Sequence, residues 1–270
     1  MSGPLITAEQ LRRRLGEVTV LDVRYRTGGP SGRAEFEAGH VPGSAYVDLD
    51  AELAAPPGRG GRHPLPDPAV LGAAMRRAGV CRERTVVTLD DWQGRAAARC
   101  WWLLRHHGHR DVRVLDGGWS AWLAAGGDVE TGPERARRPG DFRGRPGAMP
   151  VVSAPAVADV AVLVDARAPE HFRGEIEPLD PVAGHLPGAV NVPTEHNLRD
   201  DGTFRPASEL QREYAAVGAV AGAEVAAYCG SGVTACHDVL AMEVAGVRAA
   251  LYAGSWSDWV SDADRPVERG

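Results

Sequence analysis

Apolar residues in this chain fall in short blocks separated by polar or glycine-rich stretches. Val225-Ala226-Ala227 is brief and uninterrupted, which predicts a strand covered on both faces. Beyond the glycine-rich stretch that follows it, His237 to Ala245 carries Val239, Leu240, Met242 and Val244 at spacings that suit a helix. The first half shows the same alternation: Thr85 to Leu89 predicts a strand, Ala96 to Arg105 a helix and Val112 to Leu115 another strand. Strands alternating with helical stretches predict an α/β fold of mainly parallel sheets flanked by helices. No window of about eighteen residues is apolar enough to span a bilayer, so no membrane association is expected.

The chain also contains itself twice. Val20-Leu21-Asp22-Val23-Arg24 matches Leu163-Val164-Asp165-Ala166-Arg167. Gly39-His40-Val41-Pro42-Gly43 matches Gly184-His185-Leu186-Pro187-Gly188, and Gly117-Gly118-Trp119-Ser120 matches Gly254-Ser255-Trp256-Ser257. The matches keep their order, and the period is too long for a solenoid unit, so it signals two copies of a domain. The stretch Gly126 to Met149 is rich in Gly, Pro and Arg and reads as the connection. The expected division is a first domain over 1–125, a linker over 126–152 and a second domain over 153–270. His40 and His185 recur in both copies, so they are assigned to turns rather than to chemistry.

Composition mainly excludes. The net charge of −6 and the lack of a long basic run interleaved with aromatics argue against a nucleic-acid partner. The segment Met1 to Glu9 has neither a basic start nor an apolar core, which predicts no secretory leader. Four cysteines without disulfide-framework spacing fit a reducing compartment, and the cytoplasm is expected. His106, His107 and His109 cluster without structural-zinc spacing; they are expected to be a polar helix end that complements the helix dipole, and no metal is expected.

The chemistry concentrates at Cys229, where the predicted strand stops and the predicted helix starts. Gly230 and Gly232 let the backbone curl so that N–H groups point at the sulfur, and the helix N-terminus adds positive potential. Such surroundings favour the thiolate, so Cys229 is expected to be a nucleophile. A Cys phosphatase would need an arginine six residues on, where Ala235 stands. Cys236 reads either as a small core residue in the first turn of the helix or as a resolving thiol.

The loop C-G-S-G-V-T-A-C resembles that of the two-domain sulfurtransferases of the rhodanese superfamily, and is most similar to the 3-mercaptopyruvate type. The resemblance implies two tandem rhodanese-like domains, a Cys229 persulfide and no cofactor. It implies a small-molecule donor, 3-mercaptopyruvate or alternatively thiosulfate, and an acceptor thiol such as thioredoxin or glutathione, or cyanide. It implies a relay of Ser231, His63 and Asp50, and a sulfur held by backbone N–H groups that include those of Gly230, Gly232, Val233 and Thr234. It places arginines on the donor carboxylate, where this chain has His171 and Leu179 with Arg173 close by; a histidine is the weaker clamp. In the first half Asp90 stands opposite Cys229; an aspartate cannot carry sulfane sulfur, so that half is expected to be inactive, and its charge is expected to suit no anion-binding loop. A persulfide carrier that turns over no small donor is the remaining alternative.

Overall fold

Each apolar block becomes a strand that runs parallel to its neighbours. The computed structural model describes residues 3–26 and 28–270. The first sheet is built from β1 (Leu5–Ile6), β2 (Thr19–Asp22), β3 (Ala45–Tyr46), β4 (Val86–Leu89) and β5 (Val112–Leu115), in the order β1-β5-β4-β2-β3. The second contains β6 (Val162–Asp165), β7 (Val190–Asn191), β8 (Val225–Tyr228) and β9 (Ala249–Leu251), in the order β7-β6-β8-β9. Parallel strands need crossovers, and the helices that supply them cover the sheet faces, which is why β2, β4 and β8 are buried along their whole length. A single parallel bridge, Val151 to Leu251, continues the second sheet at the edge where β1 extends the first.

The chain divides into two compact units, 1–55 with 66–149 and 200–203, and 56–65 with 150–199 and 204–270. Two boundaries differ from the sequence reading. The stretch 126–149 folds as part of the first unit: Phe142 is buried, and Gly140 donates its N–H to Arg76 O at 2.8 Å. A Cβ at Gly140 would lie 2.0 Å from Val80 O, so its glycine serves a close approach and not flexibility. Residues 56–65, which include His63, belong to the second unit although they lie far from it in sequence.

The three repeated motifs turn out to be one device, built twice. In the first unit the buried Arg24 binds Asp22 through Nε and Nη2, both at 3.2 Å, donates to Gly39 O at 2.7 Å and stacks over Trp119 at 4.5 Å. In the second, Arg167 binds Asp165 at 2.7 Å, donates to Gly184 O at 2.7 Å and lies over Trp256 at 4.6 Å. Both ions are desolvated, so each pair is stable only because its members satisfy one another and the neighbouring carbonyl. His40 and His185 have the expected turn role: each donates from Nδ1 to a carbonyl, Phe36 O and Phe172 O, at 2.8 Å, and stacks on that same phenylalanine.

The histidines at the end of the helix Arg95–His106 do not act as cations toward its dipole. His106, His107 and His109 are buried, their rings are hydrogen-bonded to Met149 O, Leu103 O and Cys81 O, and burial pushes all three below the ordinary histidine pKa. They pack into the interior rather than present a solvated, charged helix end.

Asp90 overturns a further expectation. It follows β4 directly and is fully buried, with Oδ1 accepting from the N–H groups of Trp92 and Gly94 and Oδ2 from that of Ala97, each at 2.8 Å. The loop after β4 is therefore an anion cradle, filled by its own carboxylate. Burial pushes the Asp90 carboxyl up, and the three donors oppose that push. Replacing Asp90 with Ala strands three donors in a dry site, and about 3 to 5 kcal/mol of stability should be lost; Asp90→Asn, which keeps the Oδ1 position as an acceptor, should lose roughly 1 to 3 kcal/mol. Urea unfolding followed by tryptophan fluorescence measures both, because this unit carries Trp92, Trp101, Trp102, Trp119 and Trp122.

Candidate active site

Cys229 follows β8 directly and is 1% exposed. Three residues later Gly232 adopts φ +78°, and a Cβ there would lie 2.2 Å from Ala253 O, so only glycine closes the turn. The turn brings the Gly232 N–H to 3.1 Å from Cys229 Sγ. The helix Ala235–Val244 begins just beyond, with Thr234 as its N-cap residue, and directs its positive end at the loop. Val233 is buried, and Cys236, in the first turn, donates its thiol hydrogen to Gly232 O at 3.3 Å. That bond matches the reading of Cys236 as a small core residue and gives it a part in holding the turn.

A second helix, Ser255–Trp259, fixes the loop from the other side. The N–H groups of Trp256 and Ser257 donate to Cys229 O and Gly230 O, both at 2.9 Å. Ser255 is fully buried, accepts the Cys229 N–H on Oγ at 3.1 Å and lies 4.0 Å from Sγ, while its own hydroxyl hydrogen is directed to Tyr252 O at 2.9 Å. It holds φ +55°, where the matching residue of the first unit, Gly118, has φ +56°. A serine kept in a conformation that glycine adopts freely is strained, and the strain places its hydroxyl on the Cys229 backbone. Sequence reasoning missed Ser255, although the repeat pairs it with Gly118.

Two of the relay residues lie in the second unit and meet there. His63 Nδ1 and Ser231 Oγ are 2.7 Å apart, both half-buried. Gly61, at φ +93°, packs so closely that a Cβ would lie 2.6 Å from both Gly254 O and Ser257 Oγ, and Arg62 donates its N–H to Ser257 Oγ at 3.0 Å. These contacts hold the segment before His63 against the helix that carries Ser255. Asp50 belongs to the first unit, exposed in the helix Leu49–Glu52.

The expected carboxylate clamp is differently engaged. Arg173 is exposed, and its guanidinium forks onto Glu175, with Nε to Oε1 at 2.7 Å and Nη2 to Oε2 at 2.9 Å. His171 is half-buried in the helix Pro169–Phe172, and Leu179 is 58% exposed. Gly230 also has a role that curling does not explain: a Cβ there would lie 3.0 Å from Arg62 Nη2, so its bare backbone makes room for a guanidinium. Among the described residues no group of three or more His, Cys, Asp or Glu side chains is placed to hold a metal, and no helix is long and apolar enough to cross a membrane.

With this geometry in hand, the likenesses to known proteins are direct. A Pseudomonas aeruginosa protein named for 3-mercaptopyruvate sulfurtransferase activity is 46% identical over all of this chain and 99% of its own length. A Mycobacterium tuberculosis protein, SseB, named for thiosulfate sulfurtransferase activity, is 44% identical over 98% of this chain and 97% of its own. The crystal structure of the 3-mercaptopyruvate enzyme SseA of Escherichia coli superposes with a TM-score of 0.82 at 30% identity, over 95% of this chain and 100% of that one. The profile of the Rhodanese-like domain matches residues 7–125 and 153–262, and the chain belongs to that family, with two copies of its domain.

Proposed function

We propose that this protein is a sulfurtransferase that takes sulfane sulfur from 3-mercaptopyruvate on Cys229 and passes it to a thiol, such as that of thioredoxin or glutathione, or to cyanide. The Cys229 thiolate attacks the donor sulfur, the sulfur–carbon bond breaks, and its electron pair leaves on carbon as the enolate of pyruvate. That enolate takes up a proton to become pyruvate, and Cys229 keeps the sulfur as a persulfide. The acceptor thiolate then attacks the outer sulfur and regenerates the Cys229 thiolate. The four cysteines form no disulfide among the described residues, which suits work in the cytoplasm.

The observation that carries the choice of donor is the hydrogen bond between His63 and Ser231, two residues beyond the nucleophile. An enolate leaving group needs a proton, and an imidazole bound to a hydroxyl can deliver one. Sulfite, which leaves when thiosulfate is the donor, needs none. Gly230 and Ser231 are neutral, so the loop itself adds no side-chain cation for a sulfite anion. Ser255 supports the same site by holding the Cys229 N–H, so that the nucleophile is fixed on the backbone side as well.

Cys229→Ser should abolish turnover with both donors. Ser231→Ala and His63→Gln should lower kcat with 3-mercaptopyruvate by roughly 100-fold or more, and should change thiosulfate turnover by less than about tenfold, within what loop repacking costs. Steady-state assays with one acceptor and each donor in turn measure both, and a wild-type preference for thiosulfate overturns the choice of donor. At Ser255, loss of the buried bond to Cys229 should cost Ser255→Ala and Ser255→Gly stability alike. The alanine should be the less stable of the two by about 1 kcal/mol, because only it keeps the left-handed strain; urea unfolding separates them.

A further inference from the structure

We propose that Arg62 is the specificity residue that holds the carboxylate of the sulfur donor. This rests on the reading of Cys229 as the sulfur carrier and of a 2-oxo acid as its donor. Two consecutive residues, Arg62 and His63, meet two consecutive residues of the catalytic loop, Gly230 and Ser231. Arg62 Nη2 lies against the bare backbone of Gly230, 3.0 Å from where a Cβ would be, and His63 bonds to Ser231. The guanidinium therefore stands next to the residue that follows the nucleophile and beside the relay. A 2-oxo acid whose sulfur meets Cys229 carries its carboxylate only three carbons from that sulfur, a short reach from a cation beside the next residue.

The charge is held in place from behind. Asp180, 8% exposed, pairs with Arg62 Nη1, and its second oxygen Oδ2 is buried without a hydrogen-bond partner among the described residues. The turn that presents Asp180 is shaped by Glu177, whose Oε1 accepts the N–H groups of Leu179 and Asp180 at 3.1 and 3.2 Å. Glu177 in turn lies 3.6 Å from Arg167, the buried arginine of the repeated device. Asp180 engages one side of the guanidinium and leaves Nη2 turned toward the loop, with the Arg62 side chain 28% exposed. A fork fixed at one end and open at the other is the arrangement that binds a second carboxylate. It also accounts for a segment in which histidine stands at 171, leucine at 179, and the nearby Arg173 is taken by Glu175.

The test compares 3-mercaptopyruvate with its methyl ester, which lacks the charge, in the wild type, Arg62→Leu and Arg62→Lys. Arg62→Leu should raise KM for the acid roughly 10- to 100-fold with kcat changed by less than about threefold, and should leave kcat/KM for the ester within about threefold. Arg62→Lys should recover part of the loss, because it keeps the charge but not the fork. A loss shared equally by acid and ester, or a fall in kcat at unchanged KM, overturns the assignment and makes Arg62 a strut of the loop. Mass spectrometry of the wild type after mixing with donor separates the two readings. If the wild type gains a sulfur from 3-mercaptopyruvate and Arg62→Leu behaves like it, only the role of Arg62 falls. If the wild type gains none, the proposed donor falls with it.

Discussion

A strand that ends inside a parallel sheet and turns at once into a helix leaves a ring of backbone N–H groups with nothing in the fold to accept them. Something with spare electron pairs must fill the ring, and both halves of this chain are shaped by that demand. After β4 the filler is the Asp90 carboxylate, which takes three N–H groups. After β8 it is the Cys229 sulfur, which takes the Gly232 N–H. The turns match in detail: Gln93 and Gly232, each three residues past the filler, both hold positive φ, at 58° and 78°. The two halves differ in the chemistry of one side chain in a common cradle, a carboxylic acid in the first and a thiol in the second.

The cradle keeps its shape because other parts of each unit are tied to it. The helix that begins at Ser255 donates to Cys229 O and Gly230 O, and Trp119 in the first unit donates in the same way to Asp90 O at 2.8 Å. Trp119 and Trp256 are the residues over which Arg24 and Arg167 stack, and those arginines bind the strand-end aspartates Asp22 and Asp165. A buried ion pair of this kind adds little net stability, since desolvation offsets most of its attraction, but removing one partner is costly. The device therefore fixes geometry: strand end, turn and loop helix move together or not at all.

Much of this was legible in the sequence. The apolar blocks marked the strands, the internal repeat marked two copies, and the turn role of His40 and His185 followed from their presence in both halves. The cradle and its cysteine were readable because a glycine-rich turn between strand and helix has few other uses. Long-range packing was not readable. The stretch 126–149 has the composition of a linker, yet its glycines and prolines serve close contacts with the first unit. The charge of Asp90 is unsuited to a loop that receives an incoming anion, but here its own carboxyl group fills the cradle. No local pattern marks Arg62, because its significance depends on Gly230, which lies 168 positions away in the sequence. One sequence signal was overlooked outright: Val129-Glu130 and Val267-Glu268 also repeat, and in both units that glutamate bridges to the histidine of the turn, Glu130 to His40 and Glu268 to His185.

The two fillers differ in permanence. Asp90 is part of the chain, so the first cradle is occupied from the moment it folds. On the proposed reaction the second cradle is occupied by a group that gains and loses an atom at every cycle. The hydrogen bonds that shape the first cradle are therefore constant, while on the proposed reaction those of the second are remade around a changed group in every cycle.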